Sequence, residues 1–232
     1  MSELLLVRHG QAGSSPEAYD ELSALGREQA LRLGRWLHAH GREFAATAVG
    51  RMRRQRETFE AVAESYRQAG SSISAAEVLP GLDEYSFVEV VRAFAARYPE
   101  HPDVAVMQQQ SADKRAWIAL LRSALAQWMT GELEHVPEGF ASFRDRTGAA
   151  LEVLKARLQQ GPVLAVTSGG VMGQIAQHVL GFPDHALIDI NFSLLNSSIC
   201  EYRLTRAGLK LVSLNSLPHL SAPEDRAMLT QV

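Results

Sequence analysis

Four apolar residues, Leu4-Leu5-Leu6-Val7, stop abruptly at Arg8-His9-Gly10. A run this short and unbroken fits a strand buried on both faces, with the glycine behind it opening a tight turn. The pattern recurs at Pro162-Val163-Leu164-Ala165-Val166-Thr167, which runs into Ser168-Gly169-Gly170. Strands covered on both faces belong to mainly parallel sheets, and parallel neighbours need crossover connections, usually helices. Helical patterns stand where such crossovers would lie. Ser23–His40 puts Leu25, Leu33 and Leu37 on one face before Gly41, and Arg54–Gln68 does the same with Phe59, Val62 and Tyr66 before Gly70. Ala45–Val49 reads as a second strand, and Ile73–Leu79 as a weaker one ended by Pro80-Gly81. Val171–Leu180 reads as a helix, and Ile199–Leu204 with Leu209–Leu214 as a hairpin about Ala207-Gly208.

The stretch from Ser86 to Gln160 is almost wholly helical in pattern. Its segments are Ser86–Tyr98, Ser111–Met129 and Glu138–Gln160, separated by breaks containing Pro and Gly. The expectation is one α/β domain over residues 1–232. Its mainly parallel sheet is flanked by helices on both faces, with a helical cap or insertion at about 86–160.

Charge and cysteine content narrow the function classes. Lys plus Arg number 23 against 26 Asp plus Glu, a net charge of -3, which disfavours a broad nucleic-acid or anionic-membrane surface. A single cysteine, Cys200, offers neither an internal disulfide nor a thiolate metal cluster and suggests a reducing compartment. The apolar run at the N-terminus is too short for a signal-peptide core, and no stretch approaches the roughly twenty apolar residues of a membrane span. The expectation is a soluble, cytoplasmic protein with no nucleic-acid or membrane partner. Exposed strand edges or cap helices could support a homodimer.

In open α/β sheets, ligand sites gather beyond the carboxyl ends of the strands. Four features fall there: Arg8-His9-Gly10, the arginine-rich Gly50-Arg51-Met52-Arg53-Arg54-Gln55-Arg56, Leu82-Asp83-Glu84, and Thr167-Ser168-Gly169-Gly170. Arginines at a helix N-terminus suit a phosphate or carboxylate, because unpaired N–H groups and partial positive charge already lie there. Taken singly, each feature also fits an ordinary loop, a solvated helix face or a strand-to-helix turn. Trp117, Trp128, Phe140 and Phe143, at helical spacing in the middle stretch, read as core rather than as a recognition surface.

In combination the motifs resemble the histidine phosphatase superfamily, which includes cofactor-dependent phosphoglycerate mutases. Leu6-Val7-Arg8-His9-Gly10-Gln11 is similar to its RHG signature. Tyr19-Asp20 through Leu22-Ser23, with Leu25-Gly26-Arg27-Glu28-Gln29-Ala30, resembles a family segment ending in G-x-x-Q-A. Arg54 through Thr58 resembles the R-x-x-x-T helix start, Leu82-Asp83-Glu84 the L-x-E element, and Asn215 with His219-Leu220 a C-terminal pattern. The resemblance runs nearly end to end and is weakest across the helical middle.

The resemblance implies a metal-independent phosphomonoester hydrolase with no cofactor, acting on a small-molecule or protein phosphomonoester through a phosphohistidine. His9 would be the nucleophile and Glu84 the proton donor. Arg8 and Arg54 would grip the phosphoryl oxygens, with Gly169 beside them and Gly10, Gln11 and Arg51 as further anion contacts. One position departs from the pattern: Ser168 stands where the family usually has a second histidine. A serine can still donate a hydrogen bond but carries no charge. Arg51, His178, His185 or His219 could restore that charge. A phosphoglycerate mutase-like phosphotransferase and a non-catalytic phospholigand-binding protein are the alternatives.

Overall fold

The structure is a computed structural model and describes residues 2–13, 20–109 and 113–231. Tyr19, part of one motif above, and Ser111, the expected start of a helix, lie outside the described residues. Among the described residues the strands are β1 (Glu3–Arg8), β2 (Ala46–Val49), β3 (Glu77–Val78), β4 (Val163–Thr167), β5 (Ile199–Thr205) and β6 (Gly208–Ser216). They form one sheet in the order β3-β2-β4-β1-β5-β6. β1, β2, β3 and β4 pair in parallel, whereas β5 runs antiparallel to β1 and forms the expected hairpin with β6. The helices are α1 (Ala24–Ala39), α2 (Arg53–Gln68), α3 (Phe87–Arg97), α4 (Pro102–Gln109), α5 (Lys114–Met129), α6 (Phe140–Leu158), α7 (Gly169–Leu180) and α8 (Asp184–Ser193). None is long and apolar enough to cross a membrane.

Side-chain alternation along the two central strands divides the core. Leu5 and Val7 of β1, with Leu164 and Val166 of β4, pack against Leu33 and Leu37 of α1 and Phe59 and Val62 of α2. Leu4 and Leu6, with Val163 and Ala165, face the opposite layer and meet Leu154 and Leu158 of α6 and Ile175 of α7. The same alternation carries Arg8 and Thr167 past the strand ends toward the α6–α7 side. α1 begins at an N-cap, Ser23, whose hydroxyl accepts from Gly26 N at 3.0 Å.

Several expected elements differ. The weak third strand shrinks from Ile73–Leu79 to the two residues of β3, because only Ala48 and Val49 offer it a parallel partner. α4 and α8 were not anticipated; each is short, and neither has a pronounced apolar stripe to announce it. The helical stretch 86–160 also divides. α3 and α4 pack on α5, and α5 on α8, whereas α6 lies against β1, β2 and β4 as a sheet-covering helix.

Candidate active site

β1 ends in the site. Its last residue, Arg8, is held by its backbone N–H to Ser198 O at 2.9 Å, and His9 N–H continues to Thr167 O at 2.9 Å. The carbonyl of His9 accepts from Ser197 N at 3.2 Å and Asn196 Nδ2 at 3.3 Å. The turn that follows is crowded. A Cβ on Gly10 would stand 2.3 Å from the carbonyl oxygen of Gly26, so only glycine lets this turn lie against the start of α1.

His9 is buried, and both ring nitrogens are engaged. Nδ1 lies 2.7 Å from Gly10 O, an atom that can only accept, so Nδ1 carries the proton. Nε2 therefore presents its lone pair, which accepts from Arg54 Nε at 3.1 Å. Burial, then the charges of Arg54 and Arg8, hold the imidazole well below its ordinary value of 6.5, which keeps it neutral. Thr58, one turn along α2 from Arg54, explains the spacing of the two. Its hydroxyl donates to Arg54 O at 2.7 Å and accepts from Gly10 N at 3.0 Å, tying the helix to the His9 turn.

The arginines reach the same space from two elements. Arg54 Nη1 donates to Asp20 at 2.9 Å, and Arg8 Nη1 donates to Leu194 O at 2.5 Å. Leu194 is fixed in turn by Asn215, which accepts from Leu195 N and donates to Ser193 O, both at 2.8 Å. Asn215 sits at a φ of 57°, a left-handed conformation that asparagine tolerates better than most residues. His219 plays a parallel part under His9. Its Nε2 lies 2.9 Å from the hydroxyl of Ser197, the residue whose N–H reaches the His9 carbonyl.

Glu84 follows the turn after β3. Its carboxylate accepts from Gly170 N at 2.9 Å, at the start of α7, and from Tyr85 N at 3.2 Å. Burial nevertheless pushes the carboxyl above its ordinary value of 4.5, outweighing Gly170 N–H and the charges of Arg54 and Arg8. A Cβ at Gly170 would fall 2.3 Å from Glu84 Oε1 and 2.5 Å from Tyr85 Cε1, so a larger residue there would have to displace both side chains.

Arg8, His9, Arg54 and Glu84 line one pocket, part of it open to solvent. Its other walls are Tyr85, Phe87, Trp117, Leu121, Asn191 and Phe192. Trp117 is thus a wall of the site rather than core, whereas Trp128, Phe140 and Phe143 are fully buried in the α3–α6 layer. Residues of α8 and the aromatic start of α3 carried no chemical motif in the sequence, and proximity to Glu84 was the only sign of Tyr85.

Other expected site residues sit elsewhere. Ser168 is completely buried behind the pocket, where its hydroxyl accepts from Gln55 Nε2 at 2.8 Å. Gln55 also donates to Leu82 O at 2.9 Å and links β4 to the segment before Glu84. Gly169 begins α7 beside Arg8 and Asn191. The N–H groups of Gly10 and Gln11 bond Thr58 and Gln29, and the Gln11 side-chain oxygen accepts from Ser23. The backbone N–H and Nε of Arg51 bind the Asp83 carboxylate at 2.5 and 2.6 Å on an exposed loop, and Arg51 is not among the pocket-lining residues. His178 and His185 are exposed away from the pocket, and His219 is committed to Ser197. None of Arg51, His178, His185 and His219 is among the residues lining the pocket.

Known proteins with this architecture share the α/β scaffold. A phosphoserine phosphatase from Entamoeba histolytica, in complex with phosphoserine, superposes with a TM-score of 0.64 at 16% identity, covering 95% of this chain and 100% of that one. An alpha-ribazole phosphatase from Shigella flexneri gives 0.61 at 21%, over 92% and 96%. A phosphoglycerate mutase from Bacillus anthracis gives 0.61 at 17%, over 94% of each. These likenesses establish the fold. No curated protein sequence matches the chain. Residues 4–217 match the histidine phosphatase superfamily (branch 1), from the first strand to the last, and the chain belongs to that superfamily.

Proposed function

We propose that the protein hydrolyses phosphomonoesters through a phosphohistidine on His9. The observation that carries this reading is the pairing of opposite proton states in one pocket. A neutral imidazole offers its Nε2 lone pair, beside a carboxyl that burial inclines to keep its proton.

In the first step Nε2 attacks phosphorus while the bond from phosphorus to the leaving oxygen breaks. Glu84 gives its proton to that oxygen, and the alcohol departs. Water then attacks the phosphohistidine, the Glu84 carboxylate takes its proton, and the phosphorus–nitrogen bond breaks to release inorganic phosphate. Arg54 must exchange its bond to Nε2 for one to a phosphoryl oxygen, which frees the lone pair as substrate enters. Arg8 and Arg54 then stabilise the charge spread over the transferring group. The Gly10 carbonyl holds the imidazole in the reactive tautomer throughout.

Ser168 stands in the position of the second histidine of the superfamily. Loss of one charged donor at such a site costs about two to three powers of ten in rate. Gln55 and Ser168 fill that place with a neutral hydrogen-bonded pair, so catalysis rests on two arginines. The absence of a third cation among the lining residues favours, as a second reading, a protein that binds phosphorylated ligands without turning them over.

Incubation with a labelled, activated phosphomonoester followed by rapid quenching separates the readings. Acid-labile, base-stable label that is absent from His9→Ala is the expected result, with faster turnover in Ser168→His. If label and phosphate release appear only in Ser168→His, the wild-type protein is a binding protein.

A further inference from the structure

We propose that the substrate is a phosphomonoester of an apolar, aromatic-bearing alcohol with no second anionic group; this rests on the phosphatase reading above. Beyond the reacting groups the described walls of the pocket are mainly apolar. Phe87 from α3, Trp117 and Leu121 from α5, and Phe192 from α8 close around it, with Tyr85 at the base. Phe87 and Trp117 meet edge to face, with ring centroids 6.2 Å apart. Trp117, Phe87 and Phe192 stay partly exposed, unlike the neighbouring core aromatics, so they keep surface for a ligand to cover.

The distribution of charge makes the same point. The cations lining the pocket are Arg8 and Arg54, and both are needed by the transferring phosphoryl group. A carboxylate or second phosphate on the leaving group would lose its water against aromatic walls without a counter-ion, which is strongly unfavourable. Nearby arginines are engaged elsewhere. Arg51 pairs with Asp83, and Arg122 pairs with Asp189 while stacking on Phe192 from 5.4 Å. The segments 14–19 and 110–112 contain no Lys, Arg or His in their sequence, so they supply no further cation. Asn191, which donates to the Tyr85 hydroxyl at 3.1 Å, is the neutral polar wall residue.

The test compares 3-phenylpropyl phosphate, glycerol 3-phosphate and 3-phosphoglycerate, all esters of alkyl alcohols, so leaving-group activation does not bias the ranking. The phenylpropyl ester is expected to have a kcat/KM at least roughly tenfold above either of the others. Trp117→Ala, and separately Phe192→Ala, should lower that value about tenfold more than they lower the value for glycerol 3-phosphate. Circular dichroism confirms that each variant is folded. Equal or better turnover of 3-phosphoglycerate, or equal losses on all three esters, overturns the proposal. If no turnover depends on His9, the phosphatase reading fails while the pocket remains testable. Calorimetry with 4-phenylbutylphosphonate and 4-phosphonobutanoate then decides: tighter binding of the phenyl compound supports an apolar subsite, and equal or weaker binding refutes it.

Discussion

Replacing Thr58 by Val tests the link between α2 and the His9 turn with almost no change in shape. The Thr58 side chain is fully buried, and its hydroxyl makes two bonds, to Arg54 O at 2.7 Å and from Gly10 N at 3.0 Å. Their losses are unequal. Arg54 O lies within α2, where the backbone ladder still supplies a partner, so that bond alone is worth about 1 kcal/mol or less. Gly10 N–H would instead be stranded in the interior, at a cost of about 1–3 kcal/mol. The expected destabilisation is therefore about 2 kcal/mol, which in a chain of this size lowers Tm by about 4–8 °C. Urea titration followed by fluorescence measures the first and calorimetry the second. Thr58→Ser keeps the hydroxyl and should retain most of the stability. Activity adds an independent readout, because the Gly10 carbonyl fixes the tautomer of His9 and a loosened peptide lets the ring turn. Stability of Thr58→Val within about 0.5 kcal/mol of wild type, with Thr58→Ser the weaker of the two, would refute this account of the R-x-x-x-T spacing.

Two further predictions concern protons. The rate should need His9 neutral and Glu84 protonated, so kcat/KM should fall as pH drops through the depressed value of His9 and fall again as pH rises through the elevated value of Glu84. Glu84→Gln should be slower by about two to four powers of ten on unactivated esters and lose the high-pH limb; persistence of that limb would remove Glu84 from the proton-donor role. His219 is lowered by burial to about 4 from its ordinary 6.5. The unfolded chain therefore binds the extra proton first as pH falls, so the contribution is complete above 6.5 and is lost progressively down to about 4. That difference is worth about 3 kcal/mol, and urea midpoints between pH 7 and 4.5 should fall further for the wild type than for His219→Gln.

Legibility depended on how local each cause was. The strands β1 and β4 were evident because a strand buried on both faces must be continuously apolar, and their polar ends marked the site. Arg8, His9, Arg54 and Glu84 could be named from their resemblance to the superfamily's motifs, and the folded chain brings the four into one pocket. The roles of Thr58, Gln55, Asn215 and His219 could not, because each acts through a group far away in sequence. Arg51 shows the same dependence: the carboxylate it binds is Asp83, 32 residues on, which no local pattern announces.

What the sequence determined by itself is the scaffold and the candidate site residues. Hydrophobic period sets the layer to which each strand and helix belongs, and short motifs place chemistry at strand ends. Only the tertiary structure decided the proton states of His9 and Glu84, since burial and the approach of two arginines depend on four separate elements meeting. It also decided the character of the pocket. Trp117 and Trp128 share one helix and one residue type, yet the first lines the site and the second fills the core. Helical spacing could not separate them, because the difference lies in which neighbours α3, α6 and α8 bring against each face.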